Sequence, residues 1–98
     1  MFINFILLFL GAITIDSLGN TDLNNVINDG FYVIWDTCTN TPASGFWGGY
    51  MIVMRPNKNA DDGTGNNFVF QMCYDMNTGG LYIRTRWGST TWSSWRVM

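Results

Sequence analysis

The stretch Leu81-Tyr82-Ile83-Arg84-Thr85-Arg86-Trp87 constrains this chain more than any other. Leu81, Ile83, Thr85 and Trp87 alternate with Tyr82, Arg84 and Arg86, the period-2 pattern of a strand half buried in a sheet. Gly88-Ser89-Thr90 reads as a turn, and Trp92 to Arg96 as the start of a return strand. Trp87, Trp92 and Trp95 therefore sit close together, and each indole can bury on the order of 150–250 Å². Whatever covers these rings is core or interface.

Upstream, the same reading yields more short strands. Phe31 to Trp35 (FYVIW) is apolar on both faces, as in a strand covered on both sides. Phe46 to Arg55 (FWGGYMIVMR) is a second strand, in which Gly48 and Gly49 mark a bulge or a close backbone approach. Phe68 to Tyr74 is a third, with Phe68, Phe70, Met72 and Tyr74 on one face and Val69, Gln71 and Cys73 on the other. Asp16 to Asp29 is polar and Asn-rich. Leu18, Leu23, Val26 and Ile27 space a single short helical turn there, with Thr21 or Asp22 as its N-cap and Gly30 as its stop. Asp36 to Gly45 and Asn57 to Asn67 are polar loops of turn-forming residues. The expected fold is all-β: a small antiparallel, sandwich-like knob of about five strands, preceded by a short helical turn.

Two segments follow, 1–15 and 16–98. The first, MFINFILLFLGAITI, is uncharged and apolar. It is too short for a membrane span, which needs about 20 apolar residues. As a signal peptide it has an apolar stretch of suitable length but lacks the basic start and a clear small-residue cleavage site. The third reading is that it packs in an oligomer, as the end of a longer assembly that feeds the folded domain. The second segment is the folded domain.

Charge and residue usage exclude several chemistries. Five basic residues against seven acidic ones, with no basic run, remove the electrostatic footprint of a nucleic-acid binder. There is no histidine, which excludes Ser-His-Asp and Cys-His catalysis and imidazole metal sites. Paired carboxylates remain, but Asp16, Asp22, Asp29, Asp36, Asp61, Asp62 and Asp75 all fall in expected loops or turns, without a fixed pair. Asp61-Asp62-Gly63 has no Glu in the register of a calcium loop. Cys38 and Cys73 are too far apart in sequence for a CxxC site, and they are either one disulfide or two buried thiols. The chain is expected to be non-enzymatic and to need no cofactor or metal. Its apolar fraction of 47% against 12% charged residues, in only 98 residues, leaves apolar surface for identical copies to cover.

Leu81-Tyr82-Ile83-Arg84-Thr85, followed by Thr91-Trp92-Ser93-Ser94-Trp95-Arg96, resembles the C-terminal knob domain of phage tail fibres and R-type pyocin fibres. Asp22-Leu23-Asn24-Asn25 leading to Gly30-Phe31-Tyr32 looks like that family's opening motif. Gly49 to Arg55 is similar to its second strand, and Phe70-Gln71 with Tyr74 to its third. The likeness runs from Thr21 to Arg96. It implies a homotrimeric receptor-binding head at the fibre tip of a virion, attaching to a bacterial surface glycan, with no membrane insertion. Gly30, Phe31, Tyr32, Tyr82, Ile83, Arg84, Trp92 and Trp95 belong to the shared motif. A motif common to fibres with different receptors maintains the fold.

Aromatic rings stack on sugars while guanidinium and amide groups bond their hydroxyls, so the ligand candidates are Trp35, Trp47, Asn67, Arg84, Arg86 and Trp87. The loops Asp36–Gly45 and Asn57–Asn67 are where receptor contacts are expected. Two other functions fit the same residues: a purely structural trimerisation module of a fibre, or a small secreted β-sandwich lectin with Met1 to Ala12 as its signal.

Overall fold

The computed structural model describes residues 15–55, 68–88 and 91–98. Among them seven strands form one sheet: β1 (Ile15–Leu18), β2 (Gly30–Trp35), β3 (Gly48–Met54), β4 (Val69–Asp75), β5 (Leu81–Trp87), β6 (Thr91–Trp92) and β7 (Arg96–Val97). Their order is β1-β2-β3-β4-β5-β6, with β7 also paired to β5. Every pairing is antiparallel except β1 with β2.

The all-β expectation holds, with differences of detail. The strands number seven, and they make one sheet where a sandwich would have two. Ile15, assigned from sequence to the N-terminal segment, pairs with Phe31 in β1. The return strand after Gly88 is split into β6 and β7 by Ser93–Trp95. Asp16 lies in β1 and Asp75 ends β4, so neither belongs to a loop. The readings of residues 1–14, of Asp61-Asp62-Gly63 and of Asn67 fall outside the described residues.

The second layer consists of loops. Between β1 and β2 the chain makes a 3-10 turn at Leu23–Asn25, the short helical turn expected there. Asp22 caps it by accepting from the Asn24 N–H at 2.9 Å, which satisfies one of the donors that a helix start leaves open. Val26 already has extended backbone, so the turn ends before Gly30, which opens β2 instead. Leu23 is completely buried, and Val26, Cys38 and Phe46 join it over the sheet.

Under this layer, cross-strand rows run Tyr32–Met51–Cys73–Tyr82 and Gly30–Val53–Gln71–Arg84. Ile34, Gly49 and Asp75 form another row. A Cβ on Gly49 would overlap the carbonyl oxygen of Tyr74, so the close approach read from sequence is real and only glycine fits. Cys38 and Cys73 are both buried with free thiols. Burial pushes the Cys73 thiol pKa up to about 12.

The opposite face carries the rows Phe31–Ile52–Met72–Ile83 and Val33–Tyr50–Tyr74–Leu81. It is open. In β5 the arginine side is therefore the covered one: Arg84 and Arg86 are 5% and 6% exposed, while Leu81 and Trp87 are 40% and 62% exposed.

Candidate functional site

The site grows from Arg84, in the middle of β5. Strand alternation turns its side chain under the loop layer, among groups from three other segments. Its Nε donates to Gln71 Oε1 at 2.8 Å and its Nη1 to Asn24 Oδ1 at 2.8 Å. The guanidinium lies between two indoles, with Cζ 4.1 Å from the Trp92 ring centre and 4.4 Å from that of Trp95. Nη2 is buried without a hydrogen-bond partner, so the ring faces are what surround the cation there. Cation–π attraction reaches about 2 kcal/mol or more when the pair is desolvated. Burial lowers the Arg84 pKa to about 10, with the charge of Asp22 working the other way. It remains a cation at neutral pH.

Gln71 ties this arrangement to the turn above it. It is fully buried, and its Nε2 donates to the carbonyls of Leu23 and Val26 at 2.8 and 2.9 Å. The two indoles are anchored at their polar ends. Trp92 Nε1 donates to the Asn24 carbonyl at 3.1 Å, and Trp95 Nε1 to the Asn40 carbonyl at 3.0 Å. Asn40 takes a positive φ of 59°, a conformation that asparagine tolerates better than most residues. From there Asn40 Nδ2 donates to Asp22 Oδ1 at 2.7 Å. That bond, then the Asn24 N–H, holds the Asp22 carboxyl below its ordinary pKa. Loops 19–28, 36–45 and 91–95 are thus joined over one buried cation.

Where they meet there is a cleft of about 280 Å³, lined by Asn24, Asn40, Thr41, Arg84, Trp92, Ser93, Ser94 and Trp95. Ser93 Oγ is engaged, accepting from the Thr85 N–H at 3.0 Å and donating to the Ser94 carbonyl at 3.2 Å. The Thr41 and Ser94 hydroxyls take part in no hydrogen bond among the described residues, which leaves them for a ligand. The lining of amides, hydroxyls and indoles suits a polyhydroxylated molecule. Among the described residues no three acidic or cysteine side chains gather to hold a metal ion.

The ligand residues expected from sequence do not converge. Of the five that lie among the described residues, only Arg84 lines the cleft. Arg86 is buried next to it, its Cζ 6.0 Å from the Trp92 ring, with Nε and Nη2 unpartnered. Trp35 lies on the open face and donates to Ser17 Oγ at 2.9 Å. Trp47 is exposed just before β3. Trp87 is at the opposite end of the sheet, its ring 5.6 Å from that of Phe68. Asn67 is outside the described residues.

The motif residues divide between structural positions. A Cβ on Gly30 would press on the Tyr32 ring at 3.2 Å, and Tyr32 donates from its buried hydroxyl to the Asn28 carbonyl at 2.7 Å. Tyr82, Trp92 and Trp95 pack against the core, and Phe31 and Ile83 belong to the open face. Sequence reasoning missed Asn24, Gln71 and Ser94. Gln71 had a signal, being the one amide in an otherwise apolar strand. Asn40 and Thr41 lay in a loop already marked for receptor contact.

Comparison with protein-family models, with curated proteins and with solved structures finds no match.

Proposed function

We propose that this chain is the receptor-binding head of a bacteriophage tail fibre or tail-like particle: a non-enzymatic homotrimer at the fibre tip that recognises a bacterial surface glycan. The observation that carries this reading is the cleft over Arg84, with unengaged hydroxyls on Thr41 and Ser94 beside two indoles. Hydroxyl, amide and aromatic groups in one small depression are what a sugar needs for orientation and for contact with its apolar face. One such cleft binds weakly. Three on a rigid head raise avidity, because the second and third contacts are intramolecular.

The test is binding of the full chain to a panel of bacterial surface polysaccharides, with Ser94→Trp filling the cleft. The expected result is binding to a subset of glycans and at least a tenfold loss in the variant. Binding that Ser94→Trp leaves unchanged would remove the cleft from the reading, and no binding to any glycan would remove the receptor function.

A second reading rests on the same geometry. The Arg84 cation, both indole N–H groups and Gln71 are engaged within the protein. That pattern favours a structural module that holds fibre chains in register, and it is the reading left if no glycan binds.

A further inference from the structure

The open face of the sheet is the largest feature that the cleft leaves unexplained. Ile15, Phe31, Val33, Trp35, Tyr50, Ile52, Met54, Phe70, Met72, Tyr74, Leu81, Ile83 and Trp87 lie in register across strands or two positions apart along them, and so share one side. Phe68 joins them through its contact with Trp87. Nine of these side chains are between 37% and 62% exposed. Free side chains of this size present up to about 200 Å² each, so the nine together expose about 800 Å². The largest apolar patch on an ordinary monomer is about 300–600 Å². A stable protein interface takes about 800 Å² from each partner.

We propose that this face is where copies of the chain meet, sheet against sheet, with the apolar rows turned inward. Three features of the face select a second copy as the occupant. Its area reaches what each side of a stable interface contributes. Among the described residues the only charged one on its rows is Arg96, in register with Ile83, so these rows present no charged cluster to an acidic or basic partner. It is also a regular pleated surface, and two such surfaces pack at about 10 Å, with side chains from both filling the space between. In the homotrimer put forward above, the three faces turn toward a common axis and each meets two neighbours; the proposal rests on that self-association, but not on glycan binding. It leaves the cleft facing outward, because Arg84 and the open face lie on opposite sides of β5.

The experiment is the solution mass of the full chain, by light scattering over a range of concentrations. It is repeated for Tyr50→Lys combined with Tyr74→Lys, two half-exposed neighbours in register at the middle of the face. The expected wild-type mass is a multiple of the 11.1 kDa chain, and the expected variant is a single chain with its β-sheet circular dichroism intact. A wild type that stays a monomer at every concentration overturns both the interface and the trimer. A wild-type oligomer that the two lysines leave intact overturns the interface alone.

A second measurement needs no variant. Met54, half exposed on this face, should be oxidised slowly by peroxide in concentrated solution and faster on dilution, while Met98 reacts quickly throughout. Equal rates for the two, independent of concentration, would also overturn the proposal.

Discussion

The two sides of the sheet carry the reverse of what their residue types suggest. The covered side holds Arg84, Arg86, Gln71 and Asp75 among Val53, Val69, Met51 and Cys73. The open side holds phenylalanines, tyrosines, tryptophans, isoleucines and leucine. Hydrogen-bond supply explains the difference. The loop layer is irregular backbone with carbonyls that the sheet must satisfy, and Gln71 meets those of Leu23 and Val26 while Trp92 and Trp95 meet those of Asn24 and Asn40. A burial that would cost about 2–7 kcal/mol for an unpartnered polar group is offset where each donor finds an acceptor. The open side has no loop layer over it among the described residues, so its mostly apolar rows stay half exposed.

Breaking the covered side should have the larger effects. Gly49→Val places a side chain against the Tyr74 carbonyl, and no folded protein is expected, which expression and circular dichroism would show. Gln71→Ala removes the donor to two carbonyls and the acceptor for the Arg84 Nε–H. A loss of about 2–4 kcal/mol is expected in urea unfolding, since buried groups left unsatisfied cost about 1–3 kcal/mol each; a loss below about 1 kcal/mol would mean that the loop layer does not depend on this amide.

Alkali should weaken the same side. The Cys73 thiol keeps its proton to about pH 12 in the folded chain, against an ordinary value of 9.0. Between those values the unfolded state binds fewer protons, so stability falls as pH rises. From pH 8 to pH 10 the expected loss is about 1 kcal/mol. The difference should vanish in Cys73→Ala, as read from urea midpoints at the two pH values.

The open side should respond least within one chain. Trp87→Ser changes a side chain that is 62% exposed. At the lowest concentrations it should cost the fold under about 1 kcal/mol, in the range of exposed strand substitutions. At high concentration it should lower the mass of the proposed oligomer. An equal loss of stability at every concentration would erase the distinction between the two sides.

Much of the fold was legible in the residues. Alternation in 81–87 and 68–74 marked β5 and β4 and sorted their side chains into two correct sets. Asp22 was among the residues that could start the short turn, and Gly48-Gly49 marked the close approach between strands. The pairing of Ile15–Leu18 with β2 was not legible, because IDSL has no strand pattern of its own and is extended only because it lies along Phe31–Ile34. The cleft was half legible: the loop at 36–45 and the Trp92–Trp95 motif were visible, but their meeting over Arg84 depends on contacts separated by 55 to 68 residues in the chain.

By itself the sequence determined that the chain is built from short strands, which residues share a side of each strand, and that histidine-based chemistry is excluded. Period and composition are local properties, and local sterics convert them into strands and turns. Only the tertiary structure decided which side of the sheet is covered. Two alternating sets, one with arginines and one with aromatics, are both possible cores until the loop that covers one of them is in place. Here that loop brings carbonyls and indoles, so the arginine side became the interior and the aromatic side the surface.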